Sequence, residues 1–147
     1  MTRIIEKRQL SENVFRMKLE APLIARARKA GQFIILRVDA EWGERIPLTI
    51  ADADAEKGTI DIVFQTVGAS TRQLGLLAAG DSLADLLGPL GRPTDIRDYT
   101  TPARRRRVIV VGGGIGVAPA HPIAQAFKAA GNDVSVIMGA RTRELVI

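Results

Sequence analysis

The feature that most constrains the fold is a glycine-rich stretch that directly follows a continuous apolar run. Residues 108–111 read Val-Ile-Val-Val, and residues 112–116 read Gly-Gly-Gly-Ile-Gly. An uninterrupted β-branched run is typical of a parallel strand that is buried on both faces. Residues 118–130 then show apolar side chains at helical spacing, and residues 133–138 predict a second buried strand. The order strand, glycine loop, helix, strand predicts the start of a parallel nucleotide-binding α/β unit.

The glycine loop is also the strongest chemical signal in the chain. Backbone N–H groups at a strand–helix junction can face an anion, and the helix dipole adds partial positive charge there. Glycine suits these positions because a Cβ would hold a phosphate away. The spacing is not that of the Rossmann motif, since Val117 stands at its third position, and no P-loop Gly-Lys-Ser/Thr follows. Taken alone, the loop could also be a tight turn without a ligand.

The first hundred residues have a different pattern, with short strands and frequent turn residues. Apolar and polar side chains alternate, and β-branched and aromatic residues are enriched, in the predicted strands 14–20, 32–38 and 59–67. Because Pro47 lies within residues 45–50, this segment is expected to form an edge or irregular strand. Residues 70–77 predict a short helix. Turns are expected at 57–58, 80–81 and 88–91. Short strands at this spacing predict a small antiparallel barrel.

Two domains are therefore expected, one at residues 1–100 and one at 101–147. The second holds one predicted helix, which cannot cover both faces of a parallel sheet. We therefore expect this part to be an incomplete domain from a chain roughly twice as long.

Composition excludes several kinds of site in this stretch. The chain of 147 residues has no cysteine and one histidine, so disulfides, thiol nucleophiles and cysteine-held or multi-histidine metal sites are excluded, and no metal ligands are predicted. The N-terminus lacks a secretory apolar region, and no apolar run reaches the roughly 18 residues of a membrane span. We expect a cytoplasmic protein without a membrane span.

The net charge of +5 comes from the end of the chain. Residues 1–100 hold 14 basic and 14 acidic residues, whereas residues 101–147 hold 7 and 2. Nucleic-acid binding is one interpretation of such a basic segment. No aromatic residues interleave with the arginines at 104–107, so a solvated entry segment is preferred and no nucleic-acid partner is predicted.

Two further motifs suggest phosphate contacts. Arg45-Ile46-Pro47-Leu48-Thr49-Ile50 places an arginine before a hydroxyl on an extended strand, where they can meet a phosphate and a planar ring edge. Val67-Gly68-Ala69-Ser70-Thr71 places hydroxyls at the start of a short helix. The alternative for the first motif is a surface arginine without a ligand, and the alternative for the second is a plain helix N-cap. Trp42 is interpreted as a tryptophan packed on the barrel rim, with stacking on a base or flavin ring as the alternative. His121 is interpreted as a helix-start residue, with acid–base chemistry as the alternative.

The combination of these motifs is more specific than any one of them. The motifs follow one another in this order: Arg-x-Pro-Leu-Thr in the predicted barrel, Gly-x-Ser-Thr before a short helix, Gly-Pro-Leu-Gly, and a strand leading into Gly-Gly-Gly-Ile-Gly-Val-Ala-Pro. A chain with this order of motifs resembles the ferredoxin–NADP reductase superfamily. The chain most resembles its electron-transfer flavoprotein subunits. These include the electron-transfer subunit of dihydroorotate dehydrogenase and the small subunit of NADH-dependent ferredoxin–NADP oxidoreductase, also called sulfide dehydrogenase.

The resemblance implies a six-stranded antiparallel Greek-key barrel that binds FAD, followed by a truncated α/β domain that binds NAD(P)H. It implies that Arg45 contacts the FAD phosphates and that Thr49, the candidate catalytic residue, lies near the reactive edge of the flavin. The implied FAD contacts are Arg45, Pro47, Leu48, Thr49, Ile50, Gly68, Ser70 and Thr71. The implied NAD(P) contacts are Gly112, Gly113, Gly114, Gly116, Ala118, Pro119 and Arg141.

The implied activity is hydride transfer from NAD(P)H to FAD, followed by single-electron transfer to a partner. That partner is a larger catalytic or iron–sulfur subunit, or a ferredoxin. Such subunits carry a [2Fe–2S] cluster on cysteines near the C-terminus, so any cluster is expected in sequence beyond this stretch. Arg141 leaves NADH and NADPH both open. The alternative function is a non-catalytic flavin-binding or partner-docking module.

Overall fold

A computed structural model describes residues 1–99 and 107–147. The arginines at 104–106 and the predicted domain boundary at residue 100 lie outside these ranges. The strands and helices follow in the order β1 (Thr2–Ser11), β2 (Val14–Glu20), α1 (Pro22–Ala27), β3 (Phe33–Arg37), β4 (Arg45–Asp54), β5 (Thr59–Gln65), α2 (Ala69–Leu76), β6 (Ser82–Leu83), β7 (Asp85–Leu90), β8 (Arg107–Gly113), α3 (Val117–Ala129) and β9 (Asp133–Gly139).

The first seven strands form one antiparallel sheet in the order β6-β1-β2-β5-β4-β3-β7. Only Ala84 separates β6 from β7, so one bent segment pairs first with β1 and then with β3. This segment joins the two edges of the sheet and gives it the form of a nearly closed barrel. The chain crosses from β2 to β3 through α1, and β5 returns to lie beside β2, which is a Greek-key connection. The predicted antiparallel barrel is confirmed.

The barrel core comes mainly from alternate residues of the predicted strands. Its fully buried side chains include Met17, Leu19, Ile34, Leu36, Ile50, Ile60, Ile62 and Phe64. Asp61 is buried too, although the alternating pattern of β5 assigned it to the polar face. Arg16 and Lys18 of β2 both form ion pairs with this carboxylate, which explains how its charge is tolerated.

Two elements of the barrel were not predicted. Strand β1 lacks an alternating pattern, because Ile4 and Ile5 are adjacent and a register shift interrupts its pairing with β2 between Ile4 and Glu6. Ile4 is buried while Ile5 is exposed. Helix α1 begins at Pro22. Proline suits the first turn of a helix because its missing N–H would have no intrahelical partner there.

Two expectations about the later strands need correction. Strand β4 extends to Asp54 and lies between β3 and β5 in the sheet. The expectation that residues 45–50 form an edge strand therefore holds only for the first half of β4, where the described pairing is with β3 alone. Gly88, expected in a turn, belongs to β7. A Cβ at Gly88 would lie 2.6 Å from Cγ2 of Ile34, so glycine allows β7 to approach β3 closely.

The predicted β-α-β order is confirmed in the last part of the chain. Strands β8 and β9 are parallel, and α3 packs against both and against β4 of the barrel. The expectation that these strands are buried on both faces is wrong for the described residues, since Val111 is 69% exposed and Ile137 is also exposed. The described chain supplies one helix to this sheet. Within the described ranges, no helix is long and apolar enough to cross a membrane.

Candidate functional site

The glycine loop forms the turn between β8 and α3. Gly113 ends β8, residues Gly114–Gly116 form one turn of 3₁₀ helix, and α3 begins at Val117. Gly112 has a packing role, because a Cβ there would lie 3.0 Å from Cα of Val117 and 3.3 Å from Cβ of Ala120. Its lack of a side chain therefore allows α3 to lie close to β8.

The other three loop glycines face open space. A Cβ built on Gly113, Gly114 or Gly116 meets no atom of the described chain within 4 Å. Gly114 also has φ +51°, a left-handed conformation that glycine adopts without strain. The loop thus exposes backbone at the start of a helix, which is the arrangement that binds anionic groups.

A crevice of about 570 Å³ opens beside this loop. Gly113, Gly114 and Ile115 line one side, and the segment 139–141 that follows β9 lines another. Gly113 and Gly139 are paired at the carboxyl ends of the two parallel strands. Ligands of open α/β sheets bind outside these strand ends. Of the predicted nucleotide contacts, Gly113, Gly114 and Arg141 therefore share one crevice.

The barrel supplies a further wall of the crevice, in addition to Leu145 and Ile147 near the end of the sequence. Asn13, Val14 and Gln65 line it, and none of them was predicted as a site residue. They lie where β2 begins and β5 ends, and Val14 is paired with Gln65. No pattern in the sequence indicates that these strand ends meet the glycine loop, because the approach depends on how α3 packs.

Helix α3 is held against the barrel close to its N-terminus. Nδ1 of His121 lies 3.3 Å from the carbonyl oxygen of Ala51 in β4. Of the predicted nucleotide contacts in this helix, Ala118 is buried and Pro119 is half-buried. His121 is the fifth residue of α3, and its described contact is with this strand.

The predicted flavin-binding strand presents only part of its motif outward. Ile46, Leu48 and Ile50 pack into the barrel core, so the alternation of the strand places Arg45, Pro47 and Thr49 on the other face. Ile50 is 1% exposed and its backbone N–H donates to the carbonyl of Gln32 at 3.2 Å, so this residue offers almost no free surface to a planar ligand.

The N-terminus of α2 meets the start of this strand. The hydroxyl of Ser70 donates a hydrogen bond to Oε2 of Glu44 at 2.5 Å, immediately beside Arg45. The Arg45 guanidinium, 63% exposed, lies 3.5 Å from Oδ2 of Asp85 in β7. The structure therefore engages two of the predicted phosphate contacts with carboxylates that were not predicted, Ser70 with Glu44 and Arg45 with Asp85.

Thr71 has a local structural role at this helix. Its hydroxyl oxygen accepts hydrogen bonds from the backbone N–H groups of Val67 and Gly68, at 3.1 and 3.0 Å, and donates to the carbonyl of Gly68. These bonds shape the turn into α2. A Cβ on Gly68 would have its nearest described neighbour 4.0 Å away, so the backbone beside this turn is accessible.

The loop before Arg45 is organised by one aspartate. Oδ1 of Asp39 accepts hydrogen bonds from the N–H groups of Trp42 and Glu41, each at 2.9 Å. These bonds, with that of Trp42 the larger cause, hold the pKa of Asp39 below its ordinary value. Trp42 is 88% exposed, so its interpretation as a residue packed on the barrel rim is wrong.

Comparison with known proteins gives three close similarities. An uncharacterised protein of Clostridium beijerinckii is 47% identical over the whole chain and half of its own length. A homologue of the electron transfer subunit of dihydroorotate dehydrogenase B (NAD(+)) from Thermotoga maritima is 40% identical over the same shares. The solved structure of NADH-dependent reduced ferredoxin-NADP oxidoreductase, studied for flavin-based electron bifurcation, superposes with a TM-score of 0.91 at 39% identity, over all of this chain and 51% of that one. No family model matches the chain.

The chain is similar to these proteins over its whole length and has a ferredoxin reductase-like fold. It spans about half the length of the relatives that it matches. The resemblance drawn from the sequence motifs is therefore confirmed.

The candidate residues of the chain form two clusters. Arg45, Thr49, Gly68 and Ser70 lie along β4 and the start of α2, whereas the loop glycines and Arg141 lie at the ends of β8 and β9. Strand β4 connects the clusters, because Ala51, two residues after Thr49, contacts His121 of α3.

Proposed function

We propose that this chain is part of an FAD-dependent NAD(P)H oxidoreductase that transfers electrons to a protein partner. FAD would bind along β4 and the N-terminus of α2, and NAD(P)H would bind in the crevice beside the glycine loop. The observation that carries the proposal is the crevice itself. Gly113 and Gly114, each with open space in place of a side chain, line it at the carboxyl ends of two parallel strands, just before α3.

The residues of β4 and α2 fit an FAD. Arg45 offers an exposed guanidinium, which pairs well with phosphate oxygens. Ser70 offers a hydroxyl beside it, and the first backbone N–H groups of α2 have no intrahelical acceptor. The open edge of β4 adds a flat surface, formed by Pro47 and Thr49, against which a planar ring can lie.

Each residue has a defined part in this proposal. Arg45 and Ser70 would hold the diphosphate, and Thr49 would orient the ring through its hydroxyl. Thr71 would act through the turn that it caps, since its hydroxyl is already engaged. Bound FAD supplies the redox chemistry, taking two electrons from the nicotinamide and releasing them one at a time.

The electron acceptor would be a larger catalytic or iron–sulfur subunit, or a ferredoxin. One observation supports a partner: the relative from Thermotoga maritima is named as a homologue of an electron transfer subunit. A [2Fe–2S] cluster would have to be held by residues outside this stretch, which has no cysteine. A cytoplasmic location is part of the same proposal.

The decisive experiment has two steps. The purified chain is loaded with FAD and freed of unbound cofactor, and its visible spectrum is recorded. NADH or NADPH is then added without oxygen while flavin absorbance is followed. Bound flavin that is bleached supports the oxidoreductase. Bound flavin that stays oxidised with both nucleotides supports the alternative, a flavin-binding module. Absence of bound flavin contradicts both.

Arg141 provides a test of nucleotide choice within this experiment. It lines the crevice just after β9, where it would meet the adenosine end of the nucleotide. We expect Arg141→Ala to slow bleaching by NADPH more than by NADH if the 2′-phosphate is recognised there. Arg143→Ala removes an equally exposed arginine two residues away and is the matched control.

A further inference from the structure

We propose that Glu44 and Asp85 compete with FAD for its phosphate-binding side chains, so that FAD binds only when both carboxylates are displaced. This inference rests on the proposed function and concerns the affinity of the same site. In the structure, the two groups best suited to hold a diphosphate are each engaged by a carboxylate. Both carboxylates therefore occupy the positions of an anionic ligand.

Glu44 is the stronger competitor. Its Oε2 accepts a 2.5 Å hydrogen bond from the Ser70 hydroxyl, which is the geometry expected for a hydroxyl bound to an ionised oxygen. The bond joins the loop before β4 to the second residue of α2. A carboxylate at the start of a helix is favoured by the same dipole that would favour phosphate. The two anions thus compete for one site.

Asp85 competes through Arg45. The pairing of β3 with its two neighbours places Arg37 beside both Arg45 and Asp85, so the three residues lie in one row across the barrel. Oδ2 of Asp85 lies 3.5 Å from Nη2 of Arg45. Both side chains are well exposed, so the pair is weak and a better anion can replace it.

Electrostatic repulsion makes displacement necessary. A diphosphate held by Arg45 and Ser70 would lie within a few ångströms of two further negative charges if Glu44 and Asp85 kept their positions. Like charges at this distance oppose each other even near a solvated surface. Because Glu44 is an exposed side chain, it can rotate into water without unfolding the loop.

The test compares the dissociation constant of FAD for the wild-type chain with that for three variants. We expect Glu44→Ala and Asp85→Asn each to tighten FAD binding about two- to fivefold, the range of exposed ion-pair contacts. Glu41→Ala removes the same charge from the same loop without touching Ser70 and should leave the constant unchanged. Trp42 is the only tryptophan of the chain and lies two residues from Glu44, so its fluorescence reports binding independently of activity.

A double-mutant cycle separates competition from a general charge effect. With Ser70→Ala, the hydroxyl that Glu44 engages is absent, so adding Glu44→Ala should give a smaller gain in affinity than it gives in the wild-type chain. The gain should also shrink at high salt. Unchanged or weaker FAD binding by Glu44→Ala, or an undiminished gain without Ser70, overturns the inference while the proposed function stands. Failure of the wild-type chain to bind FAD overturns both.

Discussion

Oδ1 of Asn132 accepts a hydrogen bond from the backbone N–H of Tyr99 at 2.9 Å. Its amide nitrogen donates to the carbonyls of Arg97, at 2.9 Å, and Phe127, at 3.0 Å. Asn132 is 3% exposed. One buried amide therefore ties the segment that leaves the barrel to the turn between α3 and β9, and it helps to set where the glycine loop lies.

We expect Asn132→Ala to lower the free energy of unfolding by about 1–3 kcal/mol, because the change removes three hydrogen bonds of a buried amide, while the carbonyl of Phe127 keeps its bond from the backbone N–H of residue 132. Urea denaturation, monitored by circular dichroism, measures this decrease in the free energy of unfolding. Gln125→Ala, at an exposed position of α3, should change the free energy of unfolding little. Equal stability of the two variants would show that water satisfies the freed groups.

Arg45→Ala should weaken FAD binding about tenfold, as expected for loss of one hydrogen-bonded charge contact to phosphate. Arg45→Lys should recover part of the affinity, since lysine keeps the charge and loses the planar fork. Fluorescence titration gives both constants. Arg26→Ala, on α1, controls for net charge. The assignment of Arg45 fails if Arg45→Ala and Arg26→Ala bind FAD equally well.

The glycine loop offers a comparison of neighbouring substitutions. Gly113→Ala adds a methyl group to open space and should leave thermal stability unchanged, yet it should slow bleaching of bound flavin by NAD(P)H, because the methyl group enters the crevice. Gly112→Ala should lower the melting temperature, since its Cβ would press on Val117. Normal reduction of flavin in the Gly113→Ala variant would exclude close approach of the nucleotide at that position.

The conformation of the loop that precedes β4 and contains Trp42 should change in acid. The pKa of Asp39 is lowered in the folded chain by the N–H groups of Trp42 and Glu41. Its stabilising contribution is thus present above the unfolded-state pKa and is lost as pH falls through the folded-state value. Trp42 fluorescence should change with a midpoint below the ordinary aspartate pKa. Asp39→Asn should abolish that transition, and its persistence would assign the change to another carboxyl group.

The local patterns that depend on neighbours in sequence were predicted well. The strands at 14–20 and 59–67, helix α2 and the β-α-β order follow from side-chain periodicity and from glycine and proline positions. Strand β1 was not predicted, because a register shift places Ile4 inside and leaves Ile5 outside. Gly88 was assigned to a turn because its role, close approach to Ile34, is visible only across two strands.

The candidate site shows the same division. The sequence by itself determined which residue types could meet a phosphate, because glycine loops and arginine–hydroxyl motifs have their chemistry wherever they fold. Tertiary structure decided which of them are available. It placed Ile50 in the core and set Glu44 against Ser70. These contacts join residues far apart in the chain, and their geometry depends on strand register and helix packing, which local sequence does not specify.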